Sequence, residues 1–200
     1  MECLGHRMVA ATGPAEYQND GQGDAEKTGR DPAASEDMVC HRVAAANQEL
    51  EGTTAGTSIL ASNPPAEADC TVVKRIHRSG AIIIGRSNLT EFAYSGLGIN
   101  RTRGTPRSPW DRETGRIPGG SSCGAAVSVT DGMAAVAVGS DTGGSVRIPS
   151  ALCGITGFKS TFGRIPLDHV HPLSYSLDSA GPLGNTVSCC AMLDAIMACE

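Results

Sequence analysis

The sequence predicts an α/β domain, and three observations carry that prediction. Short, wholly apolar runs suited to buried strands recur between segments with helical periodicity. Glycine and proline punctuate the connections, with 25 glycines and 11 prolines in 200 residues. The length suits one domain with a sizeable core and is too short for two large ones.

Composition changes near residue 50. Residues 1–50 are rich in Ala, Gly, Glu, Asp and Gln and hold no sustained apolar period, so they read as a poorly ordered segment. Residues 51–200 have the texture of a folded domain. In "AEADCTVVKRIHRSG", Val72, Val73 and Ile76 form one helical stripe and Gly80 is the stop. "AIIIG" (Ala81–Gly85) follows as a strand buried on both faces. "SNLTEFAYSG" opens on a Ser/Asn cap and predicts a short helix. Residues 101–119 are loop, broken by Pro106, Pro109 and Pro118. A helix then runs from Gly124 to Thr130, and "MAAVAVGSD" is a second strand. "GITGFKSTFGRIP" gives a strand and turn. "TVSCCAMLDAIMA" is a C-terminal helix with Val187, Cys190, Met192, Leu193 and Ile196 on its apolar side.

Charge and cysteine usage exclude several classes. A net charge of −5 disfavours a general nucleic-acid or membrane-surface binder, which needs a basic face. No apolar run approaches the roughly 18 residues that span a bilayer, and no signal-peptide core opens the chain, so the expected address is cytoplasmic. The eight cysteines form no CxxC and do not pair with histidines at ligand spacing. They are expected as free thiols packed in the domain, with no metal and no cofactor.

Two serine-in-glycine turns stand out, "GRIPGGSSCGAA" (Gly115–Ala126) and "GSDTGGSVRIPS" (Gly139–Ser150). Taken singly, each fits a capped turn. A phosphate cradle lacks its GxxxxGK[ST] and GxGxxG patterns. The nucleophile reading has chemistry behind it. A serine hydroxyl needs a base for its proton and donors for the developing oxyanion, and glycines let successive N–H groups converge beside Ser145. His77, His169 and His171 lie outside both motifs, so the residues alone do not mark a base.

Together the two stretches, continued by "ALCGITGFKSTFGRIP", closely resemble the amidase signature family. "GTTAGTSILASNPPAEADCTVVKRIHRSGAIIIGRSNLTEFAYSGLG" before them and "LDSAGPLGNTVSCCAMLDAI" after them are similar to the family's flanking segments. The resemblance covers about residues 52–200. It implies an amidase-signature fold, a mixed β-sheet flanked by helices, with only its N-terminal part present. It implies carboxamide C–N hydrolysis through an acyl-enzyme on Ser145, with Ser121 as a bridging serine on a cis peptide bond. A buried neutral lysine would be the final base, since burial lowers a lysine pKa. Thr142, Gly143 and Gly144 would supply oxyanion-hole amides, while Asp141, Arg147 and Ser122 would brace the site. Cys123, where relatives carry glycine or serine, is assigned to packing.

The chain departs from the family pattern in two places. The lysine position falls at Ala45 or Ala46, within "HRVAAANQELEGTTAG", and the only lysines are Lys27, Lys74 and Lys159. None of these is a matching substitute, and Arg86 cannot act as a neutral base. Family members are also longer, so a gene fragment or shifted reading frame is expected, with impaired turnover. The implied partner is a small-molecule amide, with a homodimer or an amidotransferase assembly as the expected higher state and no direct nucleic-acid contact. An amidotransferase subunit of the glutamyl-tRNA type and a non-catalytic remnant are the alternative readings.

Overall fold

In the computed structural model, the structure describes residues 54–64 and 68–200. The expectations for residues 1–50 lie outside them. The first described helix, α1 (Thr71–Arg78), follows from its stripe: Val72, Val73 and Ile76 are buried, and Ser79 closes the last turn before Gly80 at φ +81°. Its N-cap is Cys70, whose sulfur accepts from the Val73 N–H. Asp168, from far along the chain, accepts from both the N–H and the hydroxyl of Thr71 and so caps the same end.

The other helices and strands among the described residues are α2 (Cys123–Thr130), β1 (Val136–Asp141), α3 (Arg147–Cys153), β2 (Thr156–Gly157), β3 (Ser179–Gly184) and α4 (Val187–Ala198). The strands form one sheet in the order β1-β3-β2, with β3 antiparallel to both neighbours. The register pairs Val136 with Gly184 and Asp141 with Ser179 along β1, and Thr156 with Gly184 along β2. Alternation sends side chains to two cores. Val138 and Ala180 meet Val72, Leu193 and Met197, whereas Ala137 and Leu183 meet Val127 and Val146. Helices α1 and α4 therefore belong to one core and α2 and α3 to the other, the layered arrangement of an α/β fold.

Three local expectations need correction, and one strand went unforeseen. Ala81–Gly85 forms no strand, and no described residue pairs with it. Ala81 and Ile83 pack on the α1/α4 core, while Ile82 and Ile84 face outward at 78% and 48% exposure. An extended chain presents alternate residues to opposite sides, and only one side is covered by described residues. The short helix after Ser87 is a single 3₁₀ turn, Glu91–Ala93. Its backbone donors are spent elsewhere: Thr90 N–H goes to Ser121 and Phe92 N–H to Ala55. In α4 the buried set is Cys190, Leu193, Asp194 and Met197, and Val187 and Met192 are exposed. That set has true i, i+3, i+4, i+7 spacing, and Asp194 is tolerated inside because Arg164 Nε donates to it at 2.9 Å. Finally, β3 carries no strand signature in the sequence. "SAGPLG" is poor in strand formers, yet all six residues are buried. At Gly181 a Cβ would stand 2.3 Å from the Phe158 carbonyl oxygen, so glycine is what permits β2 to come alongside.

Candidate active site

The two serine turns lie side by side, and each leads into a helix. Thr142–Ser145 joins β1 to α3, and Gly119–Ser122 leads into α2. Ser122 fastens them. Its N–H donates to the Ser145 carbonyl at 3.1 Å, and its hydroxyl exchanges contacts with the Ser140 carbonyl (3.4 Å) and N–H (3.3 Å). A Cβ at Gly139 would sit 2.5 Å from the Ser122 oxygen, so the strand has to be glycine where the hydroxyl enters. The Gly120–Ser121 peptide bond is cis. That turn is held from outside by Thr90 N–H to the Ser121 carbonyl (3.2 Å) and Gly120 N–H to the Gly96 carbonyl (2.9 Å).

Asp141 organises the second turn. Its Oδ1 accepts from Gly144 N–H (2.7 Å) and Arg147 Nη2 (3.0 Å). Its Oδ2 accepts from Val146 N–H (3.1 Å), Arg147 N–H (3.3 Å) and Arg147 Nε (3.0 Å). Burial opposes ionisation of this carboxyl, but the Arg147 guanidinium and the turn N–H groups outweigh it and hold the pKa below the ordinary carboxylate value. The same contact raises the pKa of Arg147 above its usual value. Asp141 and Arg147 thus form an ion pair that ties the Gly144–Arg147 backbone to the end of β1.

The sequence expectation for Gly144 needs revision. Its N–H is already donated to Asp141, so it is not a free oxyanion donor in this arrangement. Gly143 is exposed, and nothing lies within 4 Å of where a Cβ would be. The N–H groups of Gly143 and Ser145 donate to no described residue. Ser121 and Ser145 are both buried, at 1% and 9% exposure, and neither hydroxyl bonds to a described side chain. The Thr142 hydroxyl donates to Asp178 Oδ1, while Asp178 Oδ2 accepts from the N–H of Leu173 (2.7 Å) and Ser174 (3.0 Å). Sequence reasoning missed Asp178. It stands more than thirty residues from the glycine-serine turns, and only its place at the head of β3 could have singled it out.

The lysine question remains where the sequence left it. Lys74 is exposed on α1, and Lys159 Nζ donates to the Ser160 carbonyl at 2.8 Å. Lys27, Ala45 and Ala46 lie outside the described residues. Cys123 is a packed thiol: burial pushes its pKa to about 12, and its sulfur contacts the Asn88 carbonyl. His171 contacts the Phe92 ring at a centroid distance of 6.1 Å, and no described hydrogen bond links it to either serine turn. Among the described residues, no group of three or more His, Cys, Asp or Glu could hold a metal, and no helix is long and apolar enough to cross a membrane.

The fold thus sets two buried serines on adjoining glycine turns, beside a buried aspartate. The amidase family model matches residues 48–200, and the chain belongs to that family. It is 49% identical over 116 residues to 2-amino-5-chloromuconic acid deaminase of Comamonas testosteroni, covering 58% of this chain and 25% of that protein. It is 43% identical over 141 residues to AtzE of the 1-carboxybiuret hydrolase of Pseudomonas sp. (strain ADP), covering 70% and 30%. Among solved structures, the A-type component of the glutamyl-tRNA(Gln) amidotransferase of Thermotoga maritima superposes with a TM-score of 0.72 at 36% identity, covering 80% of this chain and 34% of that one. The chain thus spans about a quarter to a third of the length of these relatives.

Proposed function

We propose that this site is an amide C–N hydrolase centre in which Ser145 Oγ attacks the carboxamide carbon. The supporting observation is the joining of the two turns by the Ser122 N–H to Ser145 carbonyl bond, beside the open space above Gly143. Ser145 Oγ forms the bond to carbon as its proton passes to Ser121 Oγ, whose own proton passes to a base. The carbonyl π electrons move onto oxygen, and the oxyanion is received by N–H groups of the Thr142–Ser145 turn, with Gly143 best placed. Collapse expels ammonia or an amine carrying the returned proton, and water then releases the acyl group by the reverse relay. Asp141 and Arg147 keep the turn in shape throughout.

The base is the weak step. Lys74 is exposed on α1, Lys159 donates to the Ser160 carbonyl, and the family position carries alanine, so turnover by this chain is severely reduced. Labelling with a fluorophosphonate tests the assignment. The purified chain should label slowly at Ser145, and Ser145→Ala should abolish the signal. Equal labelling of the variant would overturn the nucleophile assignment, and carboxamide hydrolysis at rates typical of enzymes, roughly 10 per second, would overturn the impairment.

The similarity to an amidotransferase component favours a second reading, in which the chain works within a larger assembly that delivers ammonia. Co-purification with the other components of an amidotransferase discriminates the two. The non-catalytic alternative predicts no Ser145-dependent labelling at all.

A further inference from the structure

We propose that Asp178 is a positioning residue for the oxyanion-binding turn, acting through the Thr142 hydroxyl. The proposal rests on the reading of Ser145 as nucleophile. Gly143 has no side chain and no neighbour within 4 Å of its Cβ position, and no described hydrogen bond holds its N–H. What fixes that peptide is the restraint on the residues either side. Behind it, Asp141 holds the Gly144 N–H. Ahead of it, Asp178 holds the Thr142 hydroxyl. Two buried carboxylates thus grip the flanks of an otherwise unsupported glycine.

The grip has a rigid base. Asp178 and Ser179 stand at the head of β3, and the Ser179 hydroxyl donates to the Asp141 carbonyl at 3.0 Å. Consecutive residues at that strand head therefore hold consecutive residues at the end of β1, Ser179 gripping the main chain of Asp141 and Asp178 the side chain of Thr142. The other oxygen of Asp178 is anchored by the Leu173 and Ser174 N–H groups, and Asp178 N–H returns to the Ser174 carbonyl at 3.0 Å. The carboxylate cannot swing away without unfolding that loop. Preorganised donors act because they need no rearrangement as charge develops, so a loosened Thr142 weakens oxyanion binding without touching substrate itself.

Phenylboronic acid tests this in the full 200-residue chain, because its tetrahedral adduct with Ser145 places a boron-bound oxygen where the oxyanion would form. Adduct affinity is read by boron NMR for the wild type and for Ser145→Ala, Asp178→Asn, Thr142→Val and Thr142→Ser. The expected result is a Ser145-dependent adduct weakened about tenfold in both Asp178→Asn and Thr142→Val. Thr142→Ser, which keeps the hydroxyl, should retain wild-type affinity, and the double variant should be no weaker than either single one. A purely structural Asp178 would lower thermal stability when changed to Asn but leave the Thr142→Val adduct at full strength, which would overturn the proposal. Thr142→Val also decides the matter if Asp178→Asn does not fold. A wild-type adduct that survives Thr142→Val overturns this inference alone. The lack of any Ser145-dependent adduct overturns the nucleophile reading and this inference with it.

Discussion

With five N–H groups converging on it, the Asp141 carboxylate enters the folded state as an anion, and the turn it organises inherits a dependence on pH. Its folded pKa is depressed. The stabilisation is therefore complete above the ordinary carboxylate pKa and is lost as pH falls through that value toward the folded one. Thermal melts at falling pH should show this acid-side decline, and Asp141→Asn should flatten it. That variant sets an NH₂ group against donors and should lower stability by about 2–3 kcal/mol, at or just below the lower end of the range for a broken buried pair. Half of the Arg147 side chain meets water, which screens the ion pair. The thiols give a second check at this scale. Burial raises Cys70 to about 11 and Cys123 and Cys153 to about 12, whereas Cys199 is exposed. Among these thiols, iodoacetamide near pH 8 should modify Cys199 first and spare Cys123 and Cys153 until the chain unfolds.

Helix α2 shows what a close approach between elements demands. Gly124 lies in its first turn, where alanine would favour the helix by about 1 kcal/mol. A Cβ there would stand 2.4 Å from the Asn88 backbone nitrogen and 2.8 Å from its carbonyl oxygen, with no flexible side chain to yield. Gly124→Ala should therefore destabilise the protein by about 1–3 kcal/mol against its propensity, read as a drop in denaturant midpoint. Elements whose stability is local were legible in the sequence. Val72, Val73, Ile76 and Gly80 write α1 in full, and the alanine and valine run before Asp141 writes β1. Elements that depend on distant partners were not. Pro182 and two glycines hide β3, because its strand character comes from pairing on both sides. Phe92 at φ +52° marks where tertiary hydrogen bonds displaced a helix. The candidate site divides in the same way. Ser121, Ser122, Asp141 and Ser145 lie in contiguous motifs, whereas the partner of Thr142 arrives from the head of a different strand.

Across the molecule, the described residues leave a one-sided apolar ribbon at Ala81–Gly85, with Ile82 and Ile84 outward. Backbone that pairs with no described residue, carrying exposed isoleucines, favours association. Replacing both by serine should reduce self-association by light scattering and shift the melting temperature by no more than about 2 °C, since neither side chain packs inside. An equal tendency to associate would place the sticky surface elsewhere. The sheet order has a consequence for how the chain is made. Among the described strands, β1 and β2 meet only through β3, which is the last of the three to leave a ribosome. During synthesis both outer strands wait, unzipped, until residues 179–184 emerge between them. Asp178 and Ser179 arrive with that strand, so the nascent chain acquires its sheet and the brace of its serine turn in a single late event.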